Sequence, residues 1–444
     1  MKYRIRHSYC QSMIFFLICA VLYKILLEYI YSSIVNPVFG YAGFINRETD
    51  VDHFVSWIIF LGSLFLWKKI FQNDNLISYE ILFFLFLTAF TPFTVMIGYG
   101  VFDRQYVISN VLYWIVLLVL IQLPVKVTGK RRLYLKVPDM LDNGKVILKI
   151  VFLVTIGVII YVSGRYGAFR MSLDLIDVYE RRQMASEANM PTIFRYLMGW
   201  VQVLLPICIG LFIKIKQWLW AVSGVFAGLL SFGFDGSKTA FALVVLAVVL
   251  NLLPDTGLRR LNGWIFTAAN LGMILAVLEY RIRHTYFIAS YAVRRVMLVP
   301  ELLRSNYFDF FTQHTPDYFK NSFLRHFGFK TEYGNMTRMI SVLYYPGRLV
   351  FNANNGLISD AVTNLGLAGI FIMPILIVLI MKYLDYWTGR VYFTVYLSFG
   401  IGVAFYLSNS FLFTILMSHG MLIAMLVMHR LNRYSWKEYE TGNH

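Results

Sequence analysis

Runs of about twenty mostly apolar residues, parted by short polar or basic joints, recur along the whole chain. The runs are apolar all round, with no polar stripe, which predicts buried or membrane-crossing helices rather than amphipathic surface ones. A crossing needs about 20 such residues. The pattern predicts about twelve transmembrane helices, roughly 13–35, 54–72, 79–98, 107–125, 146–164, 197–213, 217–233, 239–253, 263–280, 357–381, 391–408 and 411–429. The first follows Met1-Lys-Tyr-Arg-Ile-Arg6 without a small-residue cleavage pattern, so it is expected to be retained.

Lysine and arginine orient these spans. With the N-terminus cytoplasmic, Lys68, Lys69, Lys126, Lys130, Arg131, Arg132, Lys136, Lys145, Lys214, Lys216, Arg259, Arg260, Lys382 and Arg390 fall on the same side. An even count returns the basic C-terminus there too. Two long outer loops remain, 165–196 and 281–355, and within the second the interleaved apolar and basic positions of 285–311 predict short interfacial helices, with Pro300 opening one. The expectation is an all-α, polytopic integral membrane protein, a single unit over 1–444.

Composition agrees. Of 444 residues 58% are hydrophobic and only 14% charged, against about 25% charged in soluble domains. Three cysteines, Cys10, Cys19 and Cys208, are too few for a disulfide framework or a cysteine-rich metal site. No two histidines have metal-ligand spacing, so no metal is expected, and neither G-x-S-x-G nor H-E-x-x-H occurs.

The formal charge of +16 acquires meaning once divided by side. The outer segments hold fifteen arginines and three lysines, whereas the cytoplasmic side holds nine arginines and about twelve lysines. Guanidinium forks match phosphate oxygens bidentately and are less strongly hydrated than ammonium. Arg165, Arg170, Arg181 and Arg182 in the first loop, and Arg325, Arg338 and Arg348 in the second, are therefore candidates for an outer anion site. Pairing with loop carboxylates and lipid phosphates would explain the same arginines without a substrate. Phe234-Asp-Gly-Ser-Lys-Thr239 joins spans seven and eight; it lacks the upstream glycine of a phosphate-binding loop, but Lys238 could meet an anion at the membrane surface.

The second loop closes with Tyr344-Tyr-Pro-Gly-Arg348 and then Asn352-Ala-Asn-Asn-Gly-Leu-Ile-Ser-Asp-Ala-Val-Thr-Asn-Leu-Gly366. Asp360 and Asn364 share one helix face at the entrance to span ten. Aromatics beside amides suit sugars, so Tyr345, Asn355 and Asn364 are candidate substrate contacts. Asp360, and after it His326, are candidate bases toward a sugar hydroxyl. In the first span Lys24 and Glu28 stand in the favourable i,i+4 order for a helix ion pair, and Gly224 and Gly228 form a small-residue face for close packing.

With these features on nearly its whole length, the chain resembles bacterial O-antigen or oligosaccharide repeat-unit polymerases of the Wzy type. The likeness rests on the span layout, the two arginine-rich outer loops, Gly236-Ser-Lys-Thr239, and Asn354 to Gly366 entering span ten. It departs from members that carry an R-x10-G repeat, since no arginine here has a glycine eleven residues on. The resemblance implies a glycosyltransferase of the cytoplasmic (inner) membrane. It would move a polyprenyl-diphosphate-linked glycan chain onto a lipid-linked repeat unit at the outer face. It implies no nucleotide sugar, no cofactor and no nucleic acid, membrane lipids as surroundings, and room for a chain-length regulator as partner. On this reading Asp360, His326, Arg165 and Arg325 serve catalysis, and the remaining cations with Tyr345, Asn355 and Asn364 bind substrate. An O-antigen ligase differs only in its acceptor. A flippase for the same lipid should show internal repeats and midplane polar groups at broken helices; here the polar groups crowd the outer loops and no repeat is visible.

Overall fold

The computed structural model describes residues 2–72, 76–124, 140–166, 190–235, 238–253, 261–388 and 393–434. Regular structure among them is helical, with no strand. Eight helices are long and apolar enough to cross a membrane: Met13–Ala42, Asp50–Phe71, Ile77–Gly98, Arg104–Gln122, Asp142–Tyr166, Thr192–Lys214, Asn262–Arg283 and Ile358–Tyr386. The other four expected spans fall on shorter helices. Trp218–Asp235, Lys238–Leu252 and Phe393–Asn409 each follow one of them. The expected last span, 411–429, is not one helix. It divides into Leu412–Met417 and Met421–Tyr434, because Gly420 takes a left-handed φ of 74° and breaks the ladder.

The chain divides into two compact units, one of Met1–Pro124, Leu258–Lys382 and Ala404–Leu412, the other of Val125–Gly257, Tyr383–Val403 and Phe413–His444. In the first unit an aromatic cluster of Phe16, Phe71, Phe83, Phe86 and Phe266 forms the packing centre. The expected ion pair is present: Lys24 donates to Glu28 at 2.6 Å and to the Ser56 hydroxyl at 2.8 Å. Thr49 and Asp52 close a capping box at the start of Asp50–Phe71, satisfying amides that the first turn leaves open.

Three π-helical stretches occur among the described residues: Tyr31–Val35, Phe86–Phe90 and Ala289–Leu298. Each is followed two residues later by a proline: Pro37, Pro92 and Pro300. Proline supplies no amide and its ring crowds the carbonyl of the preceding turn. Widening that turn relieves the crowding while the helix continues.

In the second unit, Gly224 and Gly228 allow the close approach their spacing suggests. A Cβ at Gly224 would stand 2.6 Å from Ile209 Cγ1, and one at Gly228 3.1 Å from Val244 Cγ2. Thr394 donates to Asn251 Oδ1 at 2.8 Å, and Trp200 Nε1 donates to the Met417 carbonyl at 2.7 Å.

Stretch 285–311 departs from expectation. It forms the Ala289–Leu298 π-helix running into Val299–Gln313, and one charged face of the latter turns inward while Asp309 and Gln313 stay exposed. Glu301, Arg304, Tyr307 and Phe308 are buried within the first unit. Glu301 and Arg304, three apart on one face, pair with each other. Glu301 also accepts from Tyr106 Oη at 2.8 Å and Asn110 Nδ2 at 3.1 Å, and Arg304 donates to the Ser408 carbonyl at 3.0 Å. Paired and hydrogen-bonded charges tolerate burial that lone charges do not.

Candidate anion-binding cleft

The face of Val299–Gln313 opposite Glu301 and Arg304 opens onto a cleft of about 400 Å³ in the first unit. Val299, Leu302 and Leu303 furnish one apolar wall, and Ala42 and Phe44 furnish another. Gly43, between the latter two, has a left-handed φ of 98°, and a Cβ there would meet Leu302 Cδ2 at 3.0 Å.

Three arginines, Arg294, Arg295 and Arg348, line the cleft with Tyr345, Phe351 and Asn352. No carboxylate is among the described residues that line it. Arg294 lies over the Phe39 ring at 4.1 Å and donates to Ser290 Oγ at 3.4 Å. Arg295 lies over Tyr291 at 5.5 Å. The wide turns of a π-helix set consecutive residues at a smaller angle than an α-helix does, so neighbouring arginines can serve one cleft.

Arg348 is placed by a turn. Pro346 presets φ at the second position, Gly347 takes φ 79° at the third, and the Arg348 amide returns to the Tyr345 carbonyl at 3.4 Å. Its guanidinium lies over Tyr345 at 5.4 Å and Tyr41 at 5.1 Å, and donates to the Tyr41 carbonyl. Tyr345 Oη accepts from Asn306 Nδ2 at 3.0 Å, which leaves its own proton to donate. Burial pushes this phenol above its ordinary range, with Asn306 and Arg348 pulling the other way, so it is a protonated donor at neutral pH.

Of the residues singled out in the sequence, Tyr345 and Arg348 meet at this cleft. Asp360 and Asn364 share a face of Ile358–Leu365 and bond each other at 2.7 Å, but they are buried and do not line it. Both Asp360 oxygens are engaged, the second accepting from the Leu412 amide at 2.6 Å, and Asn364 Oδ1 accepts from the Phe319 amide at 2.9 Å. These bonds make Asp360 a joint between Ile358–Leu365 and the chain entering Leu412–Met417. Asn355 is buried, and neither its amide oxygen nor its nitrogen has a hydrogen-bond partner. Arg325 and His326 sit exposed on the 3₁₀ turn Phe323–Phe327, and Arg338 sits exposed on Met336–Tyr344. Arg165 ends Asp142–Tyr166 in the second unit, over the Tyr166 ring. Arg170, Arg181, Arg182 and the Lys238 side chain lie outside the described residues.

Arg294 and Arg295 belong to the fifteen outer arginines but are not among the candidates picked out from the sequence. An adjacent arginine pair just before Pro300 was the available signal. No group of three or more His, Cys, Asp or Glu side chains gathers as a metal site among the described residues. No family model matches this chain, and neither a curated protein nor a solved structure does.

Proposed function

We propose that this chain is a polysaccharide repeat-unit polymerase, with twelve crossings, both termini cytoplasmic, and the three-arginine cleft facing outward. The substrates are a polyprenyl-diphosphate-linked glycan chain as donor and a lipid-linked repeat unit as acceptor. The observation that carries this reading is the meeting of Arg294, Arg295 and Arg348 along one cleft with apolar walls and no carboxylate among the described residues that line it. That chemistry suits a phosphate joined to a hydrocarbon chain better than it suits a free sugar.

In the reaction, the bond from the donor sugar C1 to the diphosphate oxygen breaks, and the diphosphate leaves with the electron pair. A bond forms between C1 and the acceptor hydroxyl oxygen, and the hydroxyl proton is released. Negative charge grows on the leaving oxygen as the sugar gains oxocarbenium character. Guanidiniums that turn from their ring partners onto that oxygen stabilise the transition state more than the ground state. The Tyr345 phenol and Asn352 amide add neutral hydrogen bonds. Holding both lipid-anchored substrates together supplies the orientation term. His326, exposed on its turn, is the group we place toward the acceptor hydroxyl; Asp360 serves as the joint described above.

The test is reconstitution in nanodiscs with a synthetic polyprenyl-diphosphate oligosaccharide, reading product length on a gel. Wild type should yield a ladder, and Arg294→Ala, Arg295→Ala and Arg348→Ala should each lower its rate by about 10²–10³. A rate unchanged in all three would refute the clamp, and no ladder from folded wild type with its cognate unit would refute the polymerase.

A further inference from the structure

Beside the cleft the chain turns apolar side chains outward. Leu349 is 94% exposed and Tyr41 76%, and Val342, Leu343 and Val350 are each more than half exposed. Scattered apolar residues on a surface need no explanation, but these share one neighbourhood. Met336–Tyr344 buries Met336, Ile340 and Ser341 and leaves Val342 and Leu343 outside. The Phe351 amide returns to Ser341 Oγ at 3.3 Å and the Ala353 amide to the Thr337 carbonyl at 3.1 Å, so 349–351 runs back beside that helix.

The level of this patch follows from its attachments. Tyr41 stands at the end of the spanning-length helix Met13–Ala42 and is gripped by Arg348 at both its ring and its carbonyl. On the other side the segment leads into Ile358–Tyr386, another helix of spanning length. A segment tied to one such helix end and feeding the next lies where spans leave the hydrocarbon. Exposed aliphatics with tyrosine and arginine beside them have the composition of an interfacial element. Arg348 puts a cation beside Tyr41 and Leu349, which fits lipid phosphates, while Asp309 on the Tyr344 side is taken up by the Tyr344 hydroxyl at 2.6 Å.

We propose that Tyr41, Val342, Leu343, Leu349 and Val350 form a rim inserted into the lipid of the membrane leaflet on the cleft's side, over which a phosphate on a hydrocarbon chain slides sideways into the three-arginine cleft. The insertion stands on exposure and attachment alone; the passage of substrate rests on the polymerase reading.

The experiment places a nitroxide at Leu349→Cys, and separately at Val350→Cys, with Cys10, Cys19 and Cys208 replaced by serine. The protein is held in proteoliposomes of phosphatidylcholine and phosphatidylglycerol. Collisions with oxygen exceeding those with a water-soluble nickel chelate at both sites are expected and mean insertion. Nickel collisions in excess place the rim in water and overturn the proposal. Protection from both reagents means that protein covers the patch, a second copy or another chain, and overturns it equally. A second arm uses Leu349→Asp, an exposed site where folding should survive. Transfer from a long-chain donor should fall at least tenfold while transfer from a short, water-soluble donor holds. Equal loss with both donors would overturn the sideways route. The spin-label arm reads no polymer, so its failure leaves the polymerase standing. An inserted rim with no transfer from either donor in wild type would sink the polymerase reading alone.

Discussion

Arg304 and Glu301 side chains are both 1% exposed, and each holds the other's charge in the interior of the first unit. Arg304→Met keeps most of the side-chain volume but strips Glu301 of its cation and the Ser408 carbonyl of a donor. Tyr106 and Asn110 still donate to the carboxylate, which softens the loss without cancelling it. Removing one partner of a buried pair costs about 3–5 kcal/mol. Glu301→Gln keeps an oxygen for Tyr106 and Asn110 while leaving Arg304 less well matched, a loss of about 2–4 kcal/mol by the same reasoning. The double variant leaves no buried charge at either position, so its cost should fall to about 1–2 kcal/mol, mostly from the Ser408 bond. The strong non-additivity is the signature. Unfolding by sodium dodecyl sulfate in mixed micelles, followed by tryptophan fluorescence, gives the three free energies. A double variant that loses the sum of the single losses would refute the pairing.

A Cβ at Gly356 would stand 2.2 Å from the Leu407 carbonyl oxygen and 2.5 Å from that of Ser410; Gly356→Ala should cost at least about 2 kcal/mol in the same assay, and an unchanged midpoint would mean the segments do not touch. Asn355 has an orphaned amide, so Asn355→Leu should be neutral or stabilising; a loss above about 1 kcal/mol would mean the amide has a bound partner. Asp360→Asn trades an acceptor for a donor facing the Leu412 amide or Asn364, and should cost about 1–3 kcal/mol, with polymer yield falling only as folded protein falls. Full folding with abolished transfer would instead restore Asp360 as a base. His326→Ala should slow transfer without moving the unfolding midpoint, and an unchanged rate would remove its assigned part.

Long apolar runs told the helical, membrane-spanning class, because in hydrocarbon a helix must satisfy its own backbone and the requirement is visible residue by residue. Eight of the expected spans fall on helices of sufficient length. The break at Gly420 was not legible, since a glycine in an apolar run reads equally as helix packing. Nor were the π stretches, although the prolines that follow them were visible. The burial of Val299–Gln313 was hidden for a different reason. Its charges look like a solvated face until Tyr106 and Asn110, distant in sequence, are seen to receive them. Tyr345 and Arg348 could be named from their turn and chemistry, whereas Arg294 and Arg295 needed a helix geometry that amphipathic counting does not anticipate. Asp360 and Asn364 were rightly placed on one face, but which way that face pointed depended on the Leu412 amide, far along the chain.

The most direct test is chemical. Deleting the coding sequence in the native host, then extracting polyprenyl-linked glycans, shows which step is missing. The account predicts single repeat units accumulating at the outer leaflet, with chains restored by wild type but not by the Arg294→Ala, Arg295→Ala, Arg348→Ala triple variant at equal protein level. Repeat units trapped at the inner leaflet, or long lipid-linked chains left unattached, would contradict it.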